Sequence, residues 1–196
     1  MVGLDSFRLH SVQFSAFPIP RPILAPLSWA RVIVDVFDSE IKIQVINTLV
    51  IATAPNGVVV YAPLVAPDGY PDDWRRVVPE GDNGIVAWAQ VGVGVLANAV
   101  RAVGVVATGV IPTLRIEIVA DGVDLSLDDA SDRSSRSVIA AEASGEGIVI
   151  VEVGHILSAL DALPAAETVL IEIRDDPAPF VLRCVGVGFT GSMATR

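Results

Sequence analysis

Two histidines, His10 and His155, and one cysteine, Cys184, are the side chains best suited to general-base or nucleophilic chemistry in this 196-residue chain. Such chemistry needs several groups converging on one point, and the candidates here are sparse and scattered. His155 opens a helical pattern, where it reads as a partly exposed or capping residue. Cys184 lies in a Val/Leu-rich strand and reads as a small buried apolar side chain. Asp124, Asp128, Asp129 and Asp132 suggest a calcium loop but lack its glycine and terminal glutamate, so a solvated hairpin end is the better account. Gly92-Val93-Gly94 and Gly186-Val187-Gly188 are fragments of a dinucleotide fingerprint without the third glycine or the distant acid. No catalytic residue, metal site or cofactor is assigned, and the chain is read as a non-enzyme.

The composition narrows the remaining classes. There are 13 Lys+Arg against 23 Asp+Glu, a formal net charge of −10. Lys42 is the single lysine, and the arginines form no basic run, so the surface reads as acidic and repels nucleic acid. With 52% hydrophobic and 18% charged residues, a chain this long folds and buries roughly 70% of its unfolded surface. One cysteine excludes an internal disulfide framework and any multi-cysteine metal site. The opening MVGLDSFRLH carries an acid and lacks an apolar core, which argues against a secretory leader and for the cytoplasm. The apolar stretch Ile85–Pro112 is interrupted by Gln90, Asn98 and Arg101 and reads as a strand followed by a buried-face helix, with no membrane span.

One order of elements, β-α-β-β-β, occurs three times. The first copy reads as a strand at Ser11–Phe17, a helix at Pro22–Phe37 and strands at Ile41–Ile46, Thr48–Ala54 and Val58–Leu64. Asn56-Gly57 supplies a hairpin turn, since both residues tolerate positive φ. The second has a strand at Ile85–Val91, a helix at Val93–Val106 and strands at Thr113–Val119, Val123–Leu127 and Ser135–Glu142, with a turn at Asp121-Gly122. The third has a strand at Gly147–Val153, a helix at His155–Leu163, a strand at Thr168–Ile173 and two strands between Pro179 and Met193. Ile156, Leu157, Leu160 and Leu163 give the third helix one apolar face. The segment Ala66–Gly84 is dense in Pro, Gly and charge and marks a boundary, giving regions 1–80 and 81–196. The short Ala143–Glu146 turn predicts that copies two and three share one sheet and one core.

Three stretches carry a family resemblance. Leu4-Asp-Ser-Phe-Arg-Leu9 resembles the T-D-(G/S)-x-R-L motif of bacterial sliding clamps, the β subunit of DNA polymerase III. Tyr70-Pro-Asp-Asp-Trp-Arg-Arg-Val-Val-Pro79 is similar to the clamp segment joining the middle domain to the last. Gly147–Ala162 and the P-x-P run at Pro177–Leu182 resemble the closing part of that protein. The resemblance implies an α+β, DNA-clamp-like fold of repeated β-α-β-β-β units, with antiparallel sheets and helices packed on one face. Residues 1–80 then correspond to half of a clamp-like middle domain with its linker, and 81–196 to a complete C-terminal domain.

What the resemblance implies for function is a processivity scaffold that encloses duplex DNA and docks short hydrophobic peptides of polymerases and repair factors. Matched residue by residue, the peptide pocket draws on Ser6, Arg8, Leu9, Pro79, Pro177, Gly191 and Met193, and the DNA-facing helices on Arg21, Arg31 and Arg101. Leu4 stands where the family has threonine, and the ending Gly191–Arg196 is smaller and more polar than the family's, so a weakened pocket is expected. With so few cations, attraction to phosphates is weak unless enclosure holds the DNA. An incomplete sheet would leave an edge to be covered by another copy or by a longer clamp chain. Two other readings stand beside this one: a clamp-derived interaction module, inhibitor or decoy, that does not encircle DNA, and an unrelated α+β enzyme with a carboxylate site.

Overall fold

The structure, a computed structural model, describes residues 2–4, 8–12, 23–38, 40–66, 81, 84–107, 111–128, 133–175, 180–187 and 189–193. The chain forms two compact units, Met1–Ser15 with Asp73–Arg196, and Ala16–Asp72. The first fifteen residues thus group with the C-terminal part of the chain, across the division near residue 80 drawn from the sequence. Strands β1 (Val2–Leu4) and β2 (Arg8–Val12) make an antiparallel pair in which Leu4 and Leu9 are register partners. The expected strand Ser11–Phe17 lies outside the described residues beyond Val12.

The smaller unit holds α1 (Leu27–Val36) and strands β3 (Lys42–Ile46), β4 (Leu49–Thr53) and β5 (Val59–Pro63). The helix begins directly after Pro26, five residues later than the apolar pattern predicts. A proline lacks the amide that a helix interior requires but is tolerated where the first-turn amides are free. The strands pair antiparallel in sequence order. Asn47, at φ 54°, turns the chain between β3 and β4. Between β4 and β5, the Ala54 and Gly57 amides bond the Val58 and Ala54 carbonyls, so the loop is Pro55-Asn56-Gly57 with Gly57 at φ 84°. Trp29, Val50 and Ala52 form the buried centre, and the Trp29 indole Nε1 donates to the Val60 carbonyl at 3.3 Å.

In the larger unit the second module comprises β6 (Ile85–Gly92), α2 (Val93–Gly104), β7 (Thr113–Val119), β8 (Gly122–Asp128) and β9 (Ser134–Ala140). A short strand, β10 (Glu142–Gly145), follows. The third module comprises β11 (Gly147–Glu152), α3 (Val153–Asp161), β12 (Thr168–Arg174), β13 (Phe180–Cys184) and β14 (Phe189–Met193). The apolar stretch from Ile85 is strand and helix, as expected. Among the described residues no helix is long and apolar enough to cross a membrane.

The expectation of one shared sheet is corrected, because two sheets enclose one core. Their orders are β1-β2-β14-β13-β12-β6-β10 and β11-β7-β8-β9. The first strand of each module leaves its own module and pairs with the second strand of the other: β6 with β12, and β11 with β7. This reciprocal pattern gives two matching halves. Instead of a turn, Ala143–Gly145 belong to β10, which pairs back onto β6 before the chain crosses to the other sheet. The expected Asp121-Gly122 turn shifts by one residue, since Gly122 already pairs with Val119 and the loop is Ala120-Asp121.

A single core fills the space between the sheets and helices, with Leu96, Val100, Leu114, Ile116, Leu125, Ile156, Leu160, Ile171 and Leu182 fully or almost fully buried. Cys184 is buried there too, as expected. Asp124 departs from the solvated-hairpin reading: it is 7% exposed. Its carboxylate accepts from Arg136 Nε at 2.8 and 2.9 Å and pairs with Nη2. The Arg136 guanidinium holds the Asp124 carboxyl below its ordinary range, against the opposing effect of burial. Asp128 is exposed, and Asp129 and Asp132 lie outside the described residues.

Gly145 and Gly57 share a left-handed backbone but differ in surroundings. A Cβ on Gly145, at φ 77°, would run into the Val86 carbonyl, whereas nothing lies near Gly57. In urea titrations Gly145→Ala is expected to destabilise the chain by about 3 kcal/mol, combining αL strain with displacement of β10. Gly57→Ala should cost about 1 kcal/mol.

Candidate peptide and nucleic-acid surfaces

Four residues of the expected pocket are brought together by strand pairing. Strand β14 lies between β13 and β2 in the seven-stranded sheet. Across β14 and β2, Gly191 is the register partner of His10, Ser192 of Leu9, and Met193 of Arg8. On the other side Gly191 pairs with Leu182 and Met193 with Phe180. Residues 8–9 and 191–193 are thus nearly two hundred positions apart in the chain and adjacent in the sheet. Ser6, Pro79 and Pro177 lie outside the described residues, as does Arg21.

A buried ionic cluster that sequence reading missed fastens this region. Glu172 on β12 is 2% exposed. One carboxylate oxygen accepts from Arg183 Nε on β13 at 2.7 Å. The other accepts from Arg174 Nη2 and Nε at 2.6 and 2.9 Å. Arg174 Nη2 also donates to the Gly81 carbonyl at 2.7 Å. The cluster therefore ties the end of the Pro/Gly-rich linker, two residues past Pro79, to the pair β12–β13, which adjoins β14 in the same sheet. The signal was available in principle, as alternate charges in the otherwise apolar run Thr168–Arg174.

On the helices, Arg31 is exposed on α1. Arg101 on α2 is committed to an acid: its Nη2 pairs with Asp161 at the end of α3, and its Nη1 bonds Asn98 Oδ1 at 3.4 Å. His155, on α3, sits 3.3 Å from the Glu152 carboxylate. These helices thus present little uncompensated positive charge. Among the described residues no cluster of His, Cys, Asp and Glu could hold a metal ion.

No protein-family model matches the sequence, and no curated protein is significantly similar to it. The fold, in contrast, has solved counterparts. The DNA polymerase sliding clamp of Bacillus subtilis superposes with a TM-score of 0.83 at 18% identity over 100% of this chain and 52% of the clamp. The sliding clamp of Bartonella birtlesii, solved bound to griselimycin, gives 0.79 at 19% identity, with 53% of that chain covered. The Helicobacter pylori β clamp, solved bound to a DNA ligase peptide, gives 0.75 at 14% and 52%.

Removing the buried acid should expose how much the cluster holds. Glu172→Ala deprives the fully buried Arg174 side chain of its counterion, and a loss of about 3–5 kcal/mol is expected in urea unfolding. A change near zero, typical of a surface pair, would show that the cluster fastens nothing. The chain spans about half the length of the solved clamps it matches, and over that half its fold is that of a bacterial DNA polymerase III β subunit sliding clamp.

Proposed function

We propose that this chain is a clamp-like scaffold of DNA replication in the cytoplasm. It docks hydrophobic peptides of polymerases or repair factors and assembles with itself or with a longer clamp chain. Residues 1–80 would be the second half of a clamp-like middle domain with its linker, and 81–196 a complete C-terminal domain. The observation that carries the reading is the register of β2 on β14, which sets Arg8 and Leu9 against Met193 and Ser192 within a fold shared with proteins solved with a peptide or a ligand bound. Ser6, Pro79, Pro177 and Gly191 complete the proposed pocket. Its chemistry suits an extended apolar peptide: Met193, the register partner of Arg8, offers adaptable apolar surface, while an arginine can donate to peptide carbonyls as its stem packs. No bond is made or broken, so affinity and geometry are the whole activity.

Duplex DNA would be held by enclosure more than by charge. Phosphate binding scales with the number of cations released to it. Arg21, Arg31 and Arg101 are the DNA-facing candidates, and Arg101 is already engaged by Asp161. That engagement also favours a second reading, a clamp-derived interaction module, inhibitor or decoy, that docks peptides without encircling DNA.

Fluorescence anisotropy with a labelled clamp-binding peptide tests the pocket: Arg8→Ala is expected to weaken binding about tenfold or more, and unchanged affinity removes Arg8 from the site. Retention on circular but not linear duplex, with increased processivity of a polymerase on primed circles, supports the scaffold. Binding to neither form of DNA, with peptide binding intact, selects the module.

A further inference from the structure

Arg101 is the only lysine or arginine in α2 and α3, and its guanidinium is occupied. Nη2 pairs with Asp161 and Nη1 bonds Asn98 Oδ1 at 3.4 Å, although the Arg101 and Asp161 side chains are 49% and 56% exposed. The remaining exposed residues of the two helices, Val95, Asn98, Ala102, Gly154 and Ser158, are uncharged. The exposed side of this helix pair thus carries one positive and one negative charge, set against each other.

Helix stability does not account for that acid. Asp161 is the last residue of α3, at the negative end of the helix dipole, where a cation is favoured and a carboxylate is not. The smaller unit shows the same placement by itself. Asp35 is next to last in α1 and follows Arg31 by four residues, and both are exposed. With the acid C-terminal to the base, such a pair has the weaker of its two orders. What the two aspartates share is an exposed helix arginine beside them.

We propose that Asp161 competes with DNA phosphate for Arg101 and so keeps the α2–α3 face from holding duplex by charge. The inference rests on the reading of Arg101 as a DNA-facing residue and adds what controls that contact. A phosphate must displace the carboxylate to reach the guanidinium, and it then meets the released Asp161 charge. Charge therefore adds little at this face, and enclosure is left to do the holding.

Fluorescence anisotropy of the whole chain with a labelled linear duplex, read across a series of NaCl concentrations, tests the competition. Asp161→Asn is expected to raise affinity about fivefold at low salt, the scale of one exposed ion pair. It should also steepen the dependence of log affinity on log salt by about one, for one further phosphate neutralised. Adding Arg101→Gln to Asp161→Asn should erase both changes. Asp128→Asn, at an exposed position on β8, removes the same net charge and should give neither. An Asp161→Asn protein that binds as the wild type does, a gain that survives Arg101→Gln, or an equal gain in Asp128→Asn would each overturn the proposal. Retention of the wild type on circular duplex is scored separately. Retention with a silent Asp161→Asn rejects the competition alone, whereas no retention with a gain through Arg101 rejects the scaffold alone.

Discussion

A β-α-β-β-β module cannot close on itself, and the rest of the structure follows from that constraint. Its second strand keeps a bare edge and its helix a bare flank, leaving backbone groups without partners and apolar surface in water. The larger unit satisfies both by exchange, lending β6 to β12 and β11 to β7. Because each module supplies part of the other's sheet, neither half has a core of its own, and Leu96, Leu114, Ile156 and Ile171 belong to one buried cluster.

The exchange leaves the outer edge of β14 at one end of its sheet, and β2 occupies it. An edge strand is a ready template for another strand, so covering it internally has a structural benefit. It also brings the opening motif beside the closing strand. Two segments that contribute nothing to each other in sequence thereby become one candidate surface. Beside it in the same sheet the Glu172 cluster joins β12, β13 and Gly81 by charge-assisted bonds. Burial makes those bonds demanding of geometry, which favours one arrangement over near alternatives.

Local signals made the modules legible in sequence. Alternating apolar residues placed the strands Thr113–Val119 and Thr168–Arg174 at or within a residue of their ends, and the apolar face with Ile156 and Leu160 identified α3. Pro22 misplaced the start of α1, because proline is compatible with a first turn without requiring one. Pairings between distant segments were not legible. Nothing in the run Gly147–Glu152 says that it joins β7 in place of its own module's sheet, and one turn-like residue, Gly145, hid the strand β10. Asp124 looked solvated because its neighbours are acidic, yet its partner Arg136 comes from the adjacent strand. Four pocket candidates, Arg8, Leu9, Gly191 and Met193, were reached through a family motif, which carries the long-range information that periodicity lacks.

Reciprocal strand exchange has a direct thermodynamic signature in amide hydrogen exchange resolved by segment. If the second and third modules are interlocked, amides in β6, β7, β11 and β12 share one opening free energy, equal to that of unfolding the whole larger unit. Distinct opening free energies for residues 85–140 and 147–193 would mean two halves that unfold separately, and would contradict the exchange on which this account stands.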